Sequence, residues 1–381
     1  MIAMDVLTAL LVASAVFAQP DKPRWEPIPI CDDCVPRELI VAPGVGIDLT
    51  SSYGTAAVRF NNKSIVNIDQ IYSNKKYNAI IKELSGPADP EKHPKYGNIL
   101  DELRDIWRKN QRRLRKLRGL PATPEVGIIG DLIKQLRTAT EARLGKPIAS
   151  AVLATPRLPR VTDEDLDDAM AYAGLKNLKS YRTWTYVSEP QATFAGMGFG
   201  LCEKWGDIEK CEDEEATFPV AHVLSVTFTH DVLSATYITA QDARTVSFGR
   251  TTTRYDLGLG TWLQNSGSPT YWNEIREAIH RIAIISLPLI DYLLLSGEDA
   301  TNEQFLETVK EALVPITLGN APGIVRTSIN PLHAGAEGAA EFAKRWQGGT
   351  WNCMEPPRCA GNWQPGDDGW RGSWSELRGE L

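Results

Sequence analysis

The chain has 381 residues, with 41 Lys and Arg against 48 Asp and Glu, for a formal net charge of −7. That balance gives no global electrostatic reason to bind nucleic acid. A hydrophobic content of 43% is ordinary for a globular protein with a large core, and the length suits one large two-part body or two domains.

Residues 1–18 read as a signal peptide. The apolar run Val6 to Ala13 is followed by Val16-Phe17-Ala18, with small residues at the two positions a signal peptidase reads, so cleavage is expected before Gln19. The segment carries Asp5 and no Lys or Arg. No later stretch reaches the roughly 20 apolar residues that span a bilayer, and Ile282 to Leu295 is broken by Pro288 and Asp291. The expectation is a secreted protein without a membrane span, with the lumen of the endoplasmic reticulum as the alternative; the final Arg378-Gly379-Glu380-Leu381 is only a weak retrieval signal.

All six cysteines follow the leader and fall into close pairs: Cys31 with Cys34, Cys202 with Cys211, Cys353 with Cys359. In an oxidising compartment three local disulfides are expected, although six cysteines allow many other pairings. A redox or zinc role for Cys31 and Cys34 would need a βαβ setting or nearby partner ligands, and the sequence offers neither. Asn62-Lys63-Ser64 is a glycosylation sequon.

Residues 19–38 form a Pro-rich lead-in. Three short strands then follow in a meander, over Val45 to Leu49, Thr55 to Phe60 and Ser64 to Ile68. Next comes a helix in which Ile99, Leu103, Ile106, Leu114 and Leu117 recur at helical spacing. Arg108, Lys109, Arg112, Arg113, Arg115, Lys116 and Arg118 crowd its other positions and are read as a solvated face. The alternatives for that face are a site for an acidic partner or anionic surface and, at Arg112-Arg113, a dibasic processing site.

A second helix fits Glu125 to Leu144, stopped by Gly145 and Pro147, and is followed by a buried strand over Ala149 to Ala154. A capped acidic helix covers Asp163 to Ala173, and the small-residue run Gln191 to Gly198 suggests a closely packed helix. A second meander follows over Ala221 to Thr229, Leu233 to Thr239 and Thr245 to Thr252. The remaining elements are a helix over Tyr271 to Ile285, a strand over Tyr292 to Leu295 and a helix over Glu303 to Leu313. Meander then helices, twice, points to two similar α/β units. The tail, residues 344–381, holds Trp346, Trp351, Trp363, Trp370 and Trp374 among Gly, Pro and charges, as ligand anchors or as packing onto the body.

Several segments, in order, resemble the DnaK-type heat-shock chaperones and their actin-like ATPase relatives. Gly46-Ile47-Asp48-Leu49-Thr50-Ser51-Ser52-Tyr53 is similar to that family's first phosphate loop. Leu144-Gly145-Lys146-Pro147 with Ala151 to Pro156, Ala169 to Leu175, Glu189-Pro190-Gln191-Ala192-Thr193, Asp291 to Glu298, and Asn330-Pro331 with Glu337 to Ala340 resemble its later landmarks. The resemblance implies a two-lobed actin-like ATPase (ribonuclease H-like) α/β fold, with lobes over 39–190 and 191–343.

By that resemblance Asp48 corresponds to the magnesium-side carboxylate and Glu189 to the carboxylate that positions water. Ser51, Ser52, Tyr53, Gly297 and Glu298 are nucleotide-site remnants, and ATP with magnesium would be the cofactors if the site were active. The departures argue against that activity. The loop glycine is Thr50. The second loop falls at Thr227-Phe228-Thr229-His230-Asp231, where the leading Asp is Thr227 and the glycine run is gone. After Asp256 to Gly260 the adenine-side subdomain is missing, which shortens the second lobe, and the nearest lysine by order, Lys82, reads as an exposed helix residue. His93, His222, His230, His280 and His333 show no metal-ligand spacing. The expectation is a secreted pseudo-ATPase that binds a protein or small molecule. The alternatives are an active ATPase or chaperone-like protein of the endoplasmic reticulum, or a secreted enzyme of unrelated chemistry.

Overall fold

A computed structural model describes residues 42–87, 99–179, 186–205, 208–264, 269–284, 290–315, 325–327 and 330–348. The leader, the lead-in, Cys31, Cys34, Cys353, Cys359 and the tryptophans from Trp351 onward lie outside the described residues. Those residues form a mixed α/β structure with ten helices and two mixed sheets.

The first sheet starts as an antiparallel meander of β1 (Gly44–Leu49), β2 (Tyr53–Arg59) and β3 (Ile65–Tyr72). The third strand continues past Ile68 to Tyr72, because an edge strand with one solvated face tolerates the polar Asp69 and Gln70 that break the apolar pattern. Three helices, α1 (Lys75–Leu84), α2 (Ile99–Leu117) and α3 (Pro124–Leu144), carry the chain to β4 (Ser150–Thr155), which pairs parallel with β1. After α4 (Asp163–Tyr172), the short strands β5 (Lys176–Asn177) and β6 (Val187–Ser188) both pair parallel with β4. The helix ends follow local chemistry. Thr123 Oγ1 accepts from the Val126 N–H at the start of α3, Gly145 closes that helix at φ 67°, and Thr162 with Asp165 forms a capping box on α4.

Helices α5 (Glu189–Gly196) and α6 (Ile208–Ala216) lead to a second meander of β7 (Ala221–Phe228), β8 (Leu233–Ala240) and β9 (Val246–Arg254). Then α7 (Leu259–Gln264) and α8 (Pro269–Ala283) precede β10 (Tyr292–Ser296), which pairs parallel with β7. Finally α9 (Glu303–Leu313), β11 (Val325–Thr327), parallel to β10, and α10 (Ala334–Gly348) complete the described chain. The orders are β3-β2-β1-β4-β5 and β11-β10-β7-β8-β9, so the same construction occurs twice: a meander, a fourth strand parallel to the first, and a fifth beside the fourth.

Period-two alternation divides the core. Val45, Ile47 and Leu49 of β1 pack with α1, α3 and α4, while Leu224, Val226 and Phe228 of β7 pack with α8 and α9. A third cluster joins Val152 and Val187 of the first sheet and Val223, Ile238 and Leu294 of the second to Phe194 of α5 and Phe342 of α10. Trp346 is buried in this cluster. Helix α10 is tied to the first sheet by Asn67 Nδ2 donating to Glu337 Oε1 at 2.7 Å, a His333 to Ile68 carbonyl contact of 2.9 Å, and an Arg59–Glu341 ion pair.

Helix α2 lies in the opposite rotation from its sequence pattern. Its charged face is the docked one: Arg112 is only 6% exposed and donates to Asp165 and Asp168 of α4, Arg108 to Glu164, and Lys116 to Asp168. Its apolar side chains are the exposed ones, Trp107 by 64%. The reading of the basic residues as a solvated face is therefore corrected for Arg112, which is buried, and in part for Arg108, while Lys116 pairs with Asp168 yet stays exposed. Glu164 and Asp165 in the first turn of α4, with Asp168 further along it, provide their counter-charges, and Arg112 is closed inside a helix and unsuited to processing. Because removing one partner leaves a buried charge uncompensated, Arg112→Ala should lower unfolding free energy by about 3 kcal/mol. Arg113→Ala, on an exposed neighbour, should cost less than about 0.5 kcal/mol. Urea unfolding of the two variants makes the comparison, and equal costs would contradict the buried-network account.

Candidate functional site

The ends of β1 and β7 meet the same kind of hairpin turn. At Thr50 to Tyr53, the Thr50 N–H donates to the Tyr53 carbonyl, and Thr50 Oγ1 accepts from the N–H groups of Ser52 (3.3 Å) and Tyr53 (3.1 Å). At Thr229 to Val232, the Thr229 N–H donates to the Val232 carbonyl, and Thr229 Oγ1 accepts from the N–H groups of Asp231 (3.3 Å) and Val232 (3.1 Å). Each threonine hydroxyl also donates to the carbonyl three residues on. Turn amides of this kind make an anion nest when left open. In both turns a threonine oxygen of the same chain takes two of them.

Two residues before each threonine stands a buried polar side chain. On β1 it is Asp48 and on β7 it is Thr227. Thr227 Oγ1 donates to Glu189 Oε1 at 2.6 Å and lies 3.0 Å from Ser296 Oγ, so Glu189, in the first turn of α5, is held by the second sheet. Burial pushes the Glu189 carboxyl up to about 7, against the opposing effect of the Thr227 hydrogen bond. Burial also raises Asp48 well above its ordinary range, and the charge of Glu189 adds to the shift. Asp48 Oδ1, Ser51 Oγ and Ser52 Oγ are buried without a hydrogen-bond partner among the described residues. Tyr53 is buried beside them, its hydroxyl raised by burial and then by Asp48, Glu189 and Glu298.

Sequence reasoning placed Gly297 and Glu298 at this site but missed what Glu298 does. Gly297 holds φ +105°, and a Cβ there would strike the Phe228 backbone, so only glycine suits the position. The Glu298 carboxylate then reaches across: Oε1 accepts from the His230 N–H at 3.0 Å, while Oε2 accepts from Gln70 Nε2 at 2.8 Å and from the Tyr72 hydroxyl at 3.1 Å. An anion of the chain itself thus sits on an amide of the second turn and bridges to β3. Beside it, burial and the Glu298 charge push Asp299 up to about 6. Two further contacts close the same side, Asn78 Nδ2 to Asp231 at 3.4 Å and the Ser85 and Tyr255 hydroxyls at 2.8 Å. The signal that could have revealed the paired caps was available in Leu49-Thr50-Ser51-Ser52-Tyr53 set against Phe228-Thr229-His230-Asp231-Val232.

The other named residues lie elsewhere. Lys82 is exposed on α1, 5.5 Å from the Tyr255 ring. Asn62 is exposed in the β2–β3 turn, its Oδ1 accepting from the Ser64 N–H. Cys202 and Cys211 form a disulfide with Cα atoms 5.3 Å apart, and Arg345 of α10 donates to the Cys202 carbonyl at 2.7 Å. A cavity of about 670 Å³ lies under α2, between Arg112, Val126 and Thr162, away from Asp48 and Glu189.

These residues do not fit a nucleoside triphosphate with magnesium. Asp48 and the Ser51 and Ser52 hydroxyls are oxygen donors suited to a hydrated cation. The polyphosphate, however, would meet capped turn amides, the Glu298 carboxylate and Asp299. No lysine or arginine contributes to the shifts of Asp48 and Glu189.

The raised Glu189 carboxyl has a consequence for stability. The folded protein binds a proton that the unfolded chain releases near pH 4.5, so this contribution is fully present below that pH and is lost as pH rises through about 7. The melting temperature should therefore fall less steeply from pH 5 to pH 8 in Glu189→Gln than in the wild type, and parallel profiles would refute the assignment. Compared with known proteins, the chain matches no family model and no curated protein.

Proposed function

We propose that the chain is a secreted pseudo-ATPase of the two-lobed actin-like, ribonuclease H-like fold, acting as a binding or interaction protein without ATP hydrolysis. The fold reading is supported by the strand order repeated in both sheets and by the order of the resembling segments. The secretory reading rests on the leader-like start and agrees with the Cys202–Cys211 disulfide. No helix among the described residues is long and apolar enough to cross a membrane.

The observation that carries the loss of hydrolysis is the Glu298 carboxylate on the His230 amide, an internal anion on one of the two turns that would have to cradle phosphate. Phosphoryl transfer depends on positioning and electrostatic stabilisation, so occupying one turn and capping both removes the main sources of rate. The unpartnered Asp48 Oδ1 and the Ser51 and Ser52 hydroxyls favour the competing reading of an active ATPase. Purified, oxidised protein should release no phosphate from magnesium and ATP above the buffer rate and show no thermal shift. Turnover in the wild type that disappears in both Asp48→Ala and Glu189→Ala would establish the competing reading.

A further inference from the structure

Helix α2 combines two properties that rarely coincide: a fixed rotation and an uncovered apolar face. The rotation is set by Arg112, Asp105 and Asp168, all 7% exposed or less, whose ion pairs reach Lys109 and Lys116 on α2 and Asp165 on α4. At 3.6 residues per turn, Leu103 and Leu114 lie about 180° around the helix from Arg112. Leu100, Leu103, Ile106, Trp107, Leu114 and Leu117 accordingly lie on one side of the helix, each more than half exposed, with the polar Asn110 between the two halves. Large apolar side chains gathered on one exposed helix face mark an interaction surface.

Charge selects the occupant. The stripe is bordered by Arg104 on one side and Arg113 on the other, with Arg118 beyond its end, and all three are exposed. Arg113 and Arg118 have no ion pair among the described residues, whereas Arg104 pairs with Asp101 on its own helix at 3.3 Å. The Arg113 border also carries the exposed Glu102 in the first turn, so the excess positive charge lies toward the C-terminal end of the stripe, at Arg113 and Arg118. A Leu, Ile and Trp face bordered by arginines is suited to lie in the plane of a lipid–water interface, with the apolar groups at the acyl boundary and the guanidinium groups among anionic headgroups.

We propose that α2 is an interfacial helix that docks the protein onto an anionic phospholipid bilayer through this stripe, with the ion pairs to α4 holding it at the required rotation. The proposal stands independently of whether the carboxylate site binds nucleotide. It is tested with the full, oxidised chain and vesicles of phosphatidylcholine alone or mixed with phosphatidylserine, by co-flotation. Binding is expected to the mixed vesicles only, to weaken with added salt, and to fall about fivefold for each of Arg113→Gln and Arg118→Gln. Leu103→Ser/Leu114→Ser, exposed positions whose change should leave the melting temperature in place, should abolish flotation. Equal binding to both vesicle types, no binding to either, or unchanged binding of the leucine variant would overturn the proposal. So would a wild-type dimer in sedimentation velocity that the leucine variant breaks, because the stripe would then be a contact between copies.

Discussion

Backbone-to-backbone packing of α10 is the constraint on which the rest of the molecule depends. Side chains normally separate a helix from the strand beneath it, but here glycines remove them. A Cβ at Gly46 would fall on the backbone of Ala336 and Ala340, one at Gly338 on the Ala192 carbonyl, and one at Gly196 on the Ala334 carbonyl. The helix therefore lies against β1 and α5 together, with Ala339 and Ala340 fully buried. This closeness also shapes the candidate site, since Gly335 leaves just enough room for the Asp48 carboxylate. The contact gives up the side-chain burial that normally supports helix packing and gains instead a rigid spacing between the carboxylates of β1 and α5.

The electrostatics of the region follow from that spacing. Asp48 and Glu189 share a buried environment in which both are more easily protonated, and Glu298 and Asp299 are further carboxyl groups on the same side. Such a region attracts protons or a cation and repels a polyanion. The turn threonines act in the same sense: by accepting from their own turn amides they satisfy groups that would otherwise seek an external anion. Glu298 completes the arrangement from the end of β10. Gln70 and Tyr72 on β3 support it, so residues from both sheets hold one carboxylate.

Both meanders were legible in the sequence because alternation and turn residues are local signals, and so was the helix stop at Gly145. Asp48 and Glu189 were legible as a pair through the segments that resemble known ATPases, although the chemistry at the pair depends on burial that no spacing reveals. The rotation of α2 was not legible. Its apolar stripe and its basic stripe are both periodic, and choosing between them required knowing that Glu164, Asp165 and Asp168 would stand opposite, 52 to 56 residues further along the chain. The role of Glu298 was hidden for a similar reason, since its partners Gln70 and Tyr72 are more than two hundred residues away.

The distances along the chain that tie α10 to β1 and β2 bear on synthesis. The Arg59–Glu341 pair spans 282 residues, and the bond from Lys344 to the Ala42 carbonyl spans 302. At about 5 to 20 residues per second, a ribosome needs roughly 15 to 60 seconds to make α10 after the first strands have emerged. Through that interval the glycine-bearing side of β1 lacks its cover, and the first sheet waits as a partly formed layer with exposed backbone. Completion of this fold is therefore late in synthesis, and until α10 emerges the uncovered side of the first sheet is open to non-native contacts.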